Sequence, residues 1–262
     1  YASATMRTIE INGSFYALQR PSSYAQWYAE TPPGFLFAVK GGRFITHNKK
    51  LADVETPLAN FFASGVLRLQ DKLGPFLWQL PPNLRFRPER VASFLQLLPR
   101  TTREAVTLGR KHDHRLEGRS WLGPIRNRAL RHVIEPRHDS FLVPEFARLC
   151  RDHGVAIVFS DSADWPYTEE VTAGFVYLRL HGSQSTYASR YSDDELDRWA
   201  ARIRAWQAGG QPDDAATFTG WKPPRHASRD AFVYFDNDAK VHAPKDAARL
   251  AERLGVERAA GA

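Results

Sequence analysis

Between Phe175 and Gly182 the chain reads FVYLRLHG, so that Val176, Leu178 and Leu180 alternate with Tyr177, Arg179 and His181. Successive strand side chains point to opposite faces, so the segment predicts a strand with one apolar face and one face carrying an arginine and a histidine. Short apolar runs of this kind recur along the chain. They are TIEIN from Thr8, GFLFAVK from Gly34, PFLWQL from Pro75, LRHVIEPR from Leu130, VAIVFS from Val155, FVYLRL from Phe175 and AFVYF from Ala231.

Most of these runs are followed by a helical pattern. SSYAQWYAE follows the first, and an amphipathic run from about Thr56 to Lys72 follows the second. PERVASFLQLL, with Pro88 suited to a first helical turn, follows the third. VPEFARLCRDHG, stopped by Gly154, follows the fourth. SDDELDRWAARIRAW, with Ser192 as N-cap, follows the sixth, and APKDAARLAERLG from about Ala243 follows the seventh. Only the connection from Asp161 to Thr172 lacks a convincing helix.

Strands alternating with helices predict an α/β fold of parallel strands joined by right-handed crossovers. Seven β units are one short of a closed TIM-type (β/α)8 barrel, and an open doubly wound sheet is the competing architecture. No G-x-G-x-x-G loop follows any strand, which weakens a dinucleotide fold without excluding an open sheet. No long featureless linker or change in composition divides the chain, so residues 1–262 are expected to form a single β/α-barrel domain.

The polar positions gather at the strands' carboxyl ends. Thr8, Glu10 and Asn12 alternate with Ile9 and Ile11, while Lys40 closes the second run opposite in parity to Phe35, Phe37 and Val39. Gln79 lies between Trp78 and Leu80, and Glu135 and Arg137 share a face with His138 just beyond. Asp161 follows the fifth run, Arg179 and His181 end the sixth, and Asp236 and Asn237 follow the seventh. In a parallel barrel one strand face packs on the helices. The other points inward, where charge is tolerable near the open mouth or in pairs. Arg179 and His181 are therefore expected at the C-terminal mouth. The competing reading is an ion-pair network plugging the barrel top, with Glu10, Glu135, Asp161 and Asp236 balancing Lys40, Arg137 and Arg179.

Composition narrows the function classes. Hydrophobic residues make up 43% of the 262 and aromatics 12%, which fits a packed globular protein and not a disordered chain. The single cysteine, Cys150, excludes an internal disulfide and a cysteine-built zinc site and suits a reducing compartment. No apolar run approaches the ~20 residues of a membrane helix, and no signal peptide is visible, so a cytoplasmic location without membrane attachment is expected. The net charge of +7 raises a nucleic-acid partner. Much of the excess lies between Arg110 and Arg137, a segment with Trp121 as its one aromatic. It reads more readily as a solvated surface than as a stacking platform.

The motifs TIEINGSFY, FAVKGGRFITH, GPFLWQLPP, IEPRHDSF, YLRLHG and VYFDND, in that order from Thr8 to about Leu254, resemble those of the DUF72 family, also called YecE-like. The resemblance implies a TIM-type barrel and a family without an established activity. Members usually begin with another strand carrying a G-[TS]-[SA]-G-[WY] motif, then a helix ending near YAS. Here the sequence starts at Tyr1-Ala2-Ser3, so the resemblance implies a barrel lacking its first β/α unit and that unit's share of the mouth.

Three chemistries fit the ring of polar residues. In the first, His138 and His181 act as general acid or base near neutral pH, oriented by Glu135 or Asp161. Lys40, Arg137 and Arg179 would then clamp an anion, arginine being suited to bidentate contact with carboxylate or phosphate. Further substrate contacts are expected from Glu10, Asn12, Tyr16, His47, Gln79, Asp236 and Asn237. The loop HGSQSTYASRYS adds Tyr187, Arg190 and Tyr191. This reading predicts a hydrolase- or lyase-type enzyme acting on a small phosphorylated or otherwise anionic molecule, without a cofactor. In the second, Glu135, His138, Asp161, His181 and Asp236 bind a divalent metal in a phosphodiesterase, nuclease or isomerase. Against it, three cations converge on the same mouth and no H-E-x-x-H spacing is present. In the third, the ring is a non-catalytic module binding an anion or nucleic acid.

Overall fold

The computed structural model describes residues 6–182, 190–237 and 242–256. Among them seven strands form one sheet: β1 (Thr8–Ile11), β2 (Leu36–Lys40), β3 (Leu73–Gln79), β4 (His132–Glu135), β5 (Ala156–Ser162), β6 (Phe175–Gly182) and β7 (Asp230–Phe235). Every neighbouring pair is parallel and the order follows the chain. The helices are α1 (Pro21–Ala29), α2 (Glu55–Ala63), α3 (Pro88–Leu97), α4 (Thr102–Gly109), α5 (Pro144–His153), α6 (Asp193–Gln207) and α7 (Ala243–Arg253). No helix joins β5 to β6, as the sequence predicts.

The sheet curls into a nearly closed barrel with seven of the eight strands of the TIM type. Alternation along each strand makes two cores. Ala38, Leu77, Val133, Val158, Tyr177 and Phe232 fill the barrel interior. Phe37, Val39, Trp78, Ile134 and Ile157 face the helix layer, and Val176, Leu178 and Leu180 pack on Leu196, Trp199 and Ile203 of α6. The open seam runs between β1 and β7. Thr8 Oγ1 and Tyr234 Oη meet across it at 2.7 Å. A cavity of about 450 Å³ follows the seam, walled by Ile9, Val233, Phe235 and Leu250, and its inner end reaches Glu10 and Arg179.

Two elements depart from the predicted pattern. The run from Thr56 to Lys72 is α2 followed by a 3-10 segment, Val66–Lys72. Gly65 breaks it with φ +103°, and a Cβ there would lie 2.6 Å from Pro21 Cα. Helix α4 lies outside the predicted elements, although Thr101 caps it by accepting from the Glu104 N–H, a Thr-x-x-Glu signal within TTREAVTLG. The basic stretch that follows is irregular, with Arg115, Arg119, Arg126 and Arg128 exposed. No described helix is long and apolar enough to cross a membrane.

Helix α6 begins with a complete capping box: Ser192 Oγ accepts from Glu195 N–H, and Ser192 N–H donates to Glu195 Oε2. Ser192→Ala is expected to lower stability by about 1 kcal/mol. The check is a lower urea midpoint at unchanged slope.

Candidate functional site

The strand face that is apolar inside the barrel turns polar at the carboxyl end. Following Ala38, Leu77, Val133, Val158 and Tyr177 along the same parity leads to Lys40, Gln79, Glu135, Ser160, Arg179 and His181. Glu10 joins them from β1 and Asp236 from the end of β7. This layer forms the floor of the mouth.

Arg179, 2% exposed, is its hub. Its Nε donates to Glu10 Oε2 at 3.2 Å, and Nη1 donates to both Glu135 oxygens at 3.2 Å. Nη2 donates to Glu10 Oε1 at 3.0 Å and to Asp236 Oδ2 at 2.9 Å. All three guanidinium nitrogens are thereby engaged, by three carboxylates. Arg179 is expected from the sequence in an anion clamp; here each of its nitrogens already meets a carboxylate of the protein, and it organises the acidic side of the mouth instead. Tyr177, one layer deeper, donates its hydroxyl to Glu10 Oε2 at 2.6 Å. Burial alone would raise the Glu135 carboxyl, but Arg179 and Arg137, with the His181 bond, hold it well below the ordinary carboxylate value.

His181 is fully buried between two of these carboxylates, with Nε2 3.4 Å from Glu135 Oε1 and Nδ1 3.3 Å from Asp236 Oδ2. Burial disfavours its charged form, yet the bonds to Asp236 and Glu135 outweigh it and raise its pKa. Asp236 is held on the ionised side: burial opposes, while the His181 bond and Arg179 lower its pKa. The Asp236 side chain is 35% exposed, so it is the member of the pair that reaches the surface. Ser160 Oγ donates to Glu135 Oε1 at 3.3 Å and completes the floor.

The opposite wall is cationic. Arg137 is 9% exposed and stacks 3.9 Å over the Trp165 ring. Its one carboxylate contact is Nη2 to Glu135 Oε2 at 3.5 Å, and its buried Nε has no acceptor among the described residues. Lys40 Nζ lies 4.5 Å over the Phe15 ring and makes no ion pair among the described residues. Burial, and next the Arg179 charge, lower its pKa. His47 accompanies them, edge-on to Phe15 and bonded through Nδ1 to Thr46 Oγ1 at 2.8 Å. Burial and then Arg43, Lys40 and Arg137 push His47 down to about 4, so it is neutral at pH 7. The helical turn Gly13–Tyr16 presents Phe15 to this wall, anchored by Ser14 Oγ, which donates to Ile11 O and Lys40 O.

Other expected site residues lie elsewhere. Asp161 has the parity opposite to Ser160, so it faces the helices, where its Oδ2 accepts from Tyr191 Oη at 2.8 Å. Burial raises its pKa. Tyr191 itself sits in the helix-side core, and Asn237 turns outward to donate to Asp246 Oδ2 at 2.9 Å. These three tie the β6–α6 connection to α7. His138 caps the short helical turn Asp139–Phe141, its Nδ1 accepting from Ser140 N–H at 3.1 Å. Gln79 is buried beside Glu135 in the β3–β4 register. Asn12 and Tyr16 are exposed at the rim, and Tyr187 lies outside the described residues. Ser160, Tyr177 and Trp165 belong to the mouth but are absent from the expected set. The first two share the inward parity that singled out Glu135 and Arg179, whereas no local pattern marks Trp165.

Among the described residues no group of three or more His, Cys, Asp or Glu side chains is arranged to hold a metal ion. The carboxylates that converge do so on a guanidinium, which occupies the position a cation would need.

A family model described as "Protein of unknown function DUF72" matches residues 1–261. Among solved structures, a DUF72 family protein from Enterococcus faecalis matches with TM-score 0.69 and 15% identity, over 98% of this chain and 88% of the other. One from Thermotoga maritima matches with TM-score 0.66 and 21% identity, over 95% and 85%. At these identities the structures speak to the shared fold. No curated protein matches.

Proposed function

The chain belongs to the DUF72 family, whose description assigns no activity, and we propose from the mouth itself that the protein is an acid–base enzyme acting on a small anionic molecule. The observation that carries this reading is the division of the mouth. Arg179 is ringed by three carboxylates that engage each of its nitrogens, whereas Arg137 and Lys40 face the same space with donors uncommitted. Two part-buried cations without full partners are costly unless an anion joins them. The anionic end of the substrate lies against Lys40 and Arg137, and its reacting end faces Asp236. Asp236 and Glu135 favour the protonated form of His181, and Asp236 relays that proton to a leaving oxygen. Hydrolysis or lyase chemistry on a phosphorylated or carboxylate substrate follows from such a pair.

A non-catalytic anion-binding module is the second reading, favoured by the complete burial of His181. One variant separates the two. After a thermal-shift screen of phosphorylated and carboxylate ligands, His181→Asn is compared with the parent for affinity and turnover. Retained affinity with turnover down at least about a hundredfold, the usual contribution of a positioned acid, supports the enzyme. Unchanged turnover removes His181 from the chemistry, and absence of any anion binding overturns both readings.

A further inference from the structure

Lys40 occupies the last inward position of β2, directly above Ala38 of the barrel core. Its ammonium rests on an aromatic face, makes no ion pair among the described residues, and lies within the fields of Arg179 and Arg137 as well as those of Glu10 and Glu135. Lysines kept for structure in this protein look different. Lys72, more enclosed and likewise 4.5 Å over an aromatic ring, that of Tyr28, also donates to the carbonyls of Tyr28 and Thr31, and Lys111 pairs with Glu55 at 2.7 Å. An amine in an apolar and cationic setting is easily deprotonated and becomes a nucleophile toward carbonyl carbon.

We propose that Lys40 is an imine-forming lysine and that the substrate is a small 2-oxo acid, its carboxylate held by Arg137 and its carbonyl presented to Lys40 Nζ. The proposal rests on the anion-binding reading of the mouth, with Arg137 as the cation that holds the anion and Lys40 reacting as the neutral amine, and adds to it a covalent step. The neutral amine adds its lone pair to the carbonyl carbon, and the C=O π pair moves to oxygen, which takes a proton from the His181–Asp236 pair. The nitrogen then loses its protons as the hydroxyl, protonated again, leaves as water. The sum is amine plus carbonyl giving imine plus water, with no oxidant or reductant. Burial of Lys40 and the Arg179 charge outweigh the opposing pull of Glu10 and Glu135 and lower its pKa, the direction that favours the free amine of the first step.

The test exposes the protein to pyruvate, glyoxylate and 2-oxoglutarate separately, each with cyanoborohydride, which reduces an imine to a stable secondary amine. Intact mass and peptide mapping follow, with binding of the same acids measured in parallel by calorimetry. With at least one acid, a single dominant adduct is expected at Lys40, above the exposed Lys49 and Lys111, and it disappears in Lys40→Arg while binding remains. Circular dichroism confirms that this variant is folded, and Lys40→Met serves if it is not. Binding without any Lys40 adduct, or labelling spread evenly over the lysines, overturns the imine and leaves the anion site standing. Binding by none of the three acids, together with no adduct, overturns the 2-oxo acid assignment; the phosphate ligands of the earlier screen then decide the broader reading on their own.

Discussion

Replacing Arg179 with methionine is expected to cost about 3–5 kcal/mol of stability at neutral pH, the usual consequence of removing one partner from a buried ion pair. In a protein whose whole stability is on the order of 5–15 kcal/mol, that leaves it marginal or unfolded. The cost comes less from lost attraction than from what remains. Glu10 and Glu135 are 5% and 0% exposed, and with Asp236 they would keep their charges near one another with His181 and a single 3.5 Å contact from Arg137 as compensation. The direction of the pH dependence should reverse as well. In the parent, Glu135 and Asp236 have lowered pKa values, so their stabilising contribution is present above the ordinary carboxylate range and is lost as pH falls through the folded values. In Arg179→Met the crowded carboxylates favour protonation, and stability should rise as the solution is acidified. Arg179→Met/Glu135→Gln should recover part of the loss by neutralising one of the charges. Urea titrations from pH 7 down to pH 4 read all three effects. A loss under about 1 kcal/mol would put the network among weakly contributing surface pairs and would argue against a buried hub.

The second large effect is a loss of stability in mild acid traced to His132. This residue sits on the outward side of β4, fully enclosed, stacked on Phe76 and Trp78. Its Nδ1 accepts from Trp78 Nε1–H at 3.1 Å, so Nε2 carries the hydrogen that it donates to Pro99 O at 2.7 Å. The imidazole is therefore neutral with a defined tautomer, and charging it requires the Trp78 bond to break. Burial, only partly offset by the Pro99 bond, depresses its pKa from 6.5 to about 4. A histidine depressed on folding favours the folded state above its unfolded pKa, and stability is lost as pH falls from 6.5 toward 4. The depression corresponds to on the order of 3 kcal/mol. His47, shifted in the same direction, adds a smaller slope because it is half-buried. His132→Gln should lower stability at pH 7 through lost packing but flatten the decline between pH 6.5 and pH 4. An unaltered slope in that variant would assign the acid lability elsewhere.

Local pattern made much of this architecture legible. The seven strand runs, the N-cap at Ser192, the stop at Gly154 and the missing helix between β5 and β6 all depend on neighbours within a few residues, which a sequence displays directly. Alternation also identified the inward faces of β1, β2, β4 and β6, and with them Glu10, Lys40, Glu135, Arg179 and His181. It failed at a strand end. Asp161 is the charged residue closing β5, yet the inward position is Ser160, and a register shift between Asp161 and Ser162 ends the alternation. Charge drew attention to the wrong neighbour, because polarity at a carboxyl end says nothing of parity. His138 likewise has the chemistry of an acid or base, but its ring is committed to a backbone N–H two residues along.

What the sequence determined by itself is the period of its apolar positions, and therefore the parallel strand–helix alternation, the two faces of each strand and the polar layer at one end. Closure into a barrel was implied by the family resemblance, since pattern alone left an open sheet possible. Which cation meets which anion was decided only by the tertiary structure. Arg179 finds Glu10 across 169 residues of chain and Glu135 across 44, while Arg137, two residues from Glu135, reaches it only at 3.5 Å. Barrel curvature brings strands that are distant in sequence to a common axis, and the finite number of guanidinium donors settles which charge is consumed and which stays available. Arg179 is spent inside the fold for that reason. On the opposite wall Lys40 makes no ion pair among the described residues, and Arg137 has the single long contact to Glu135.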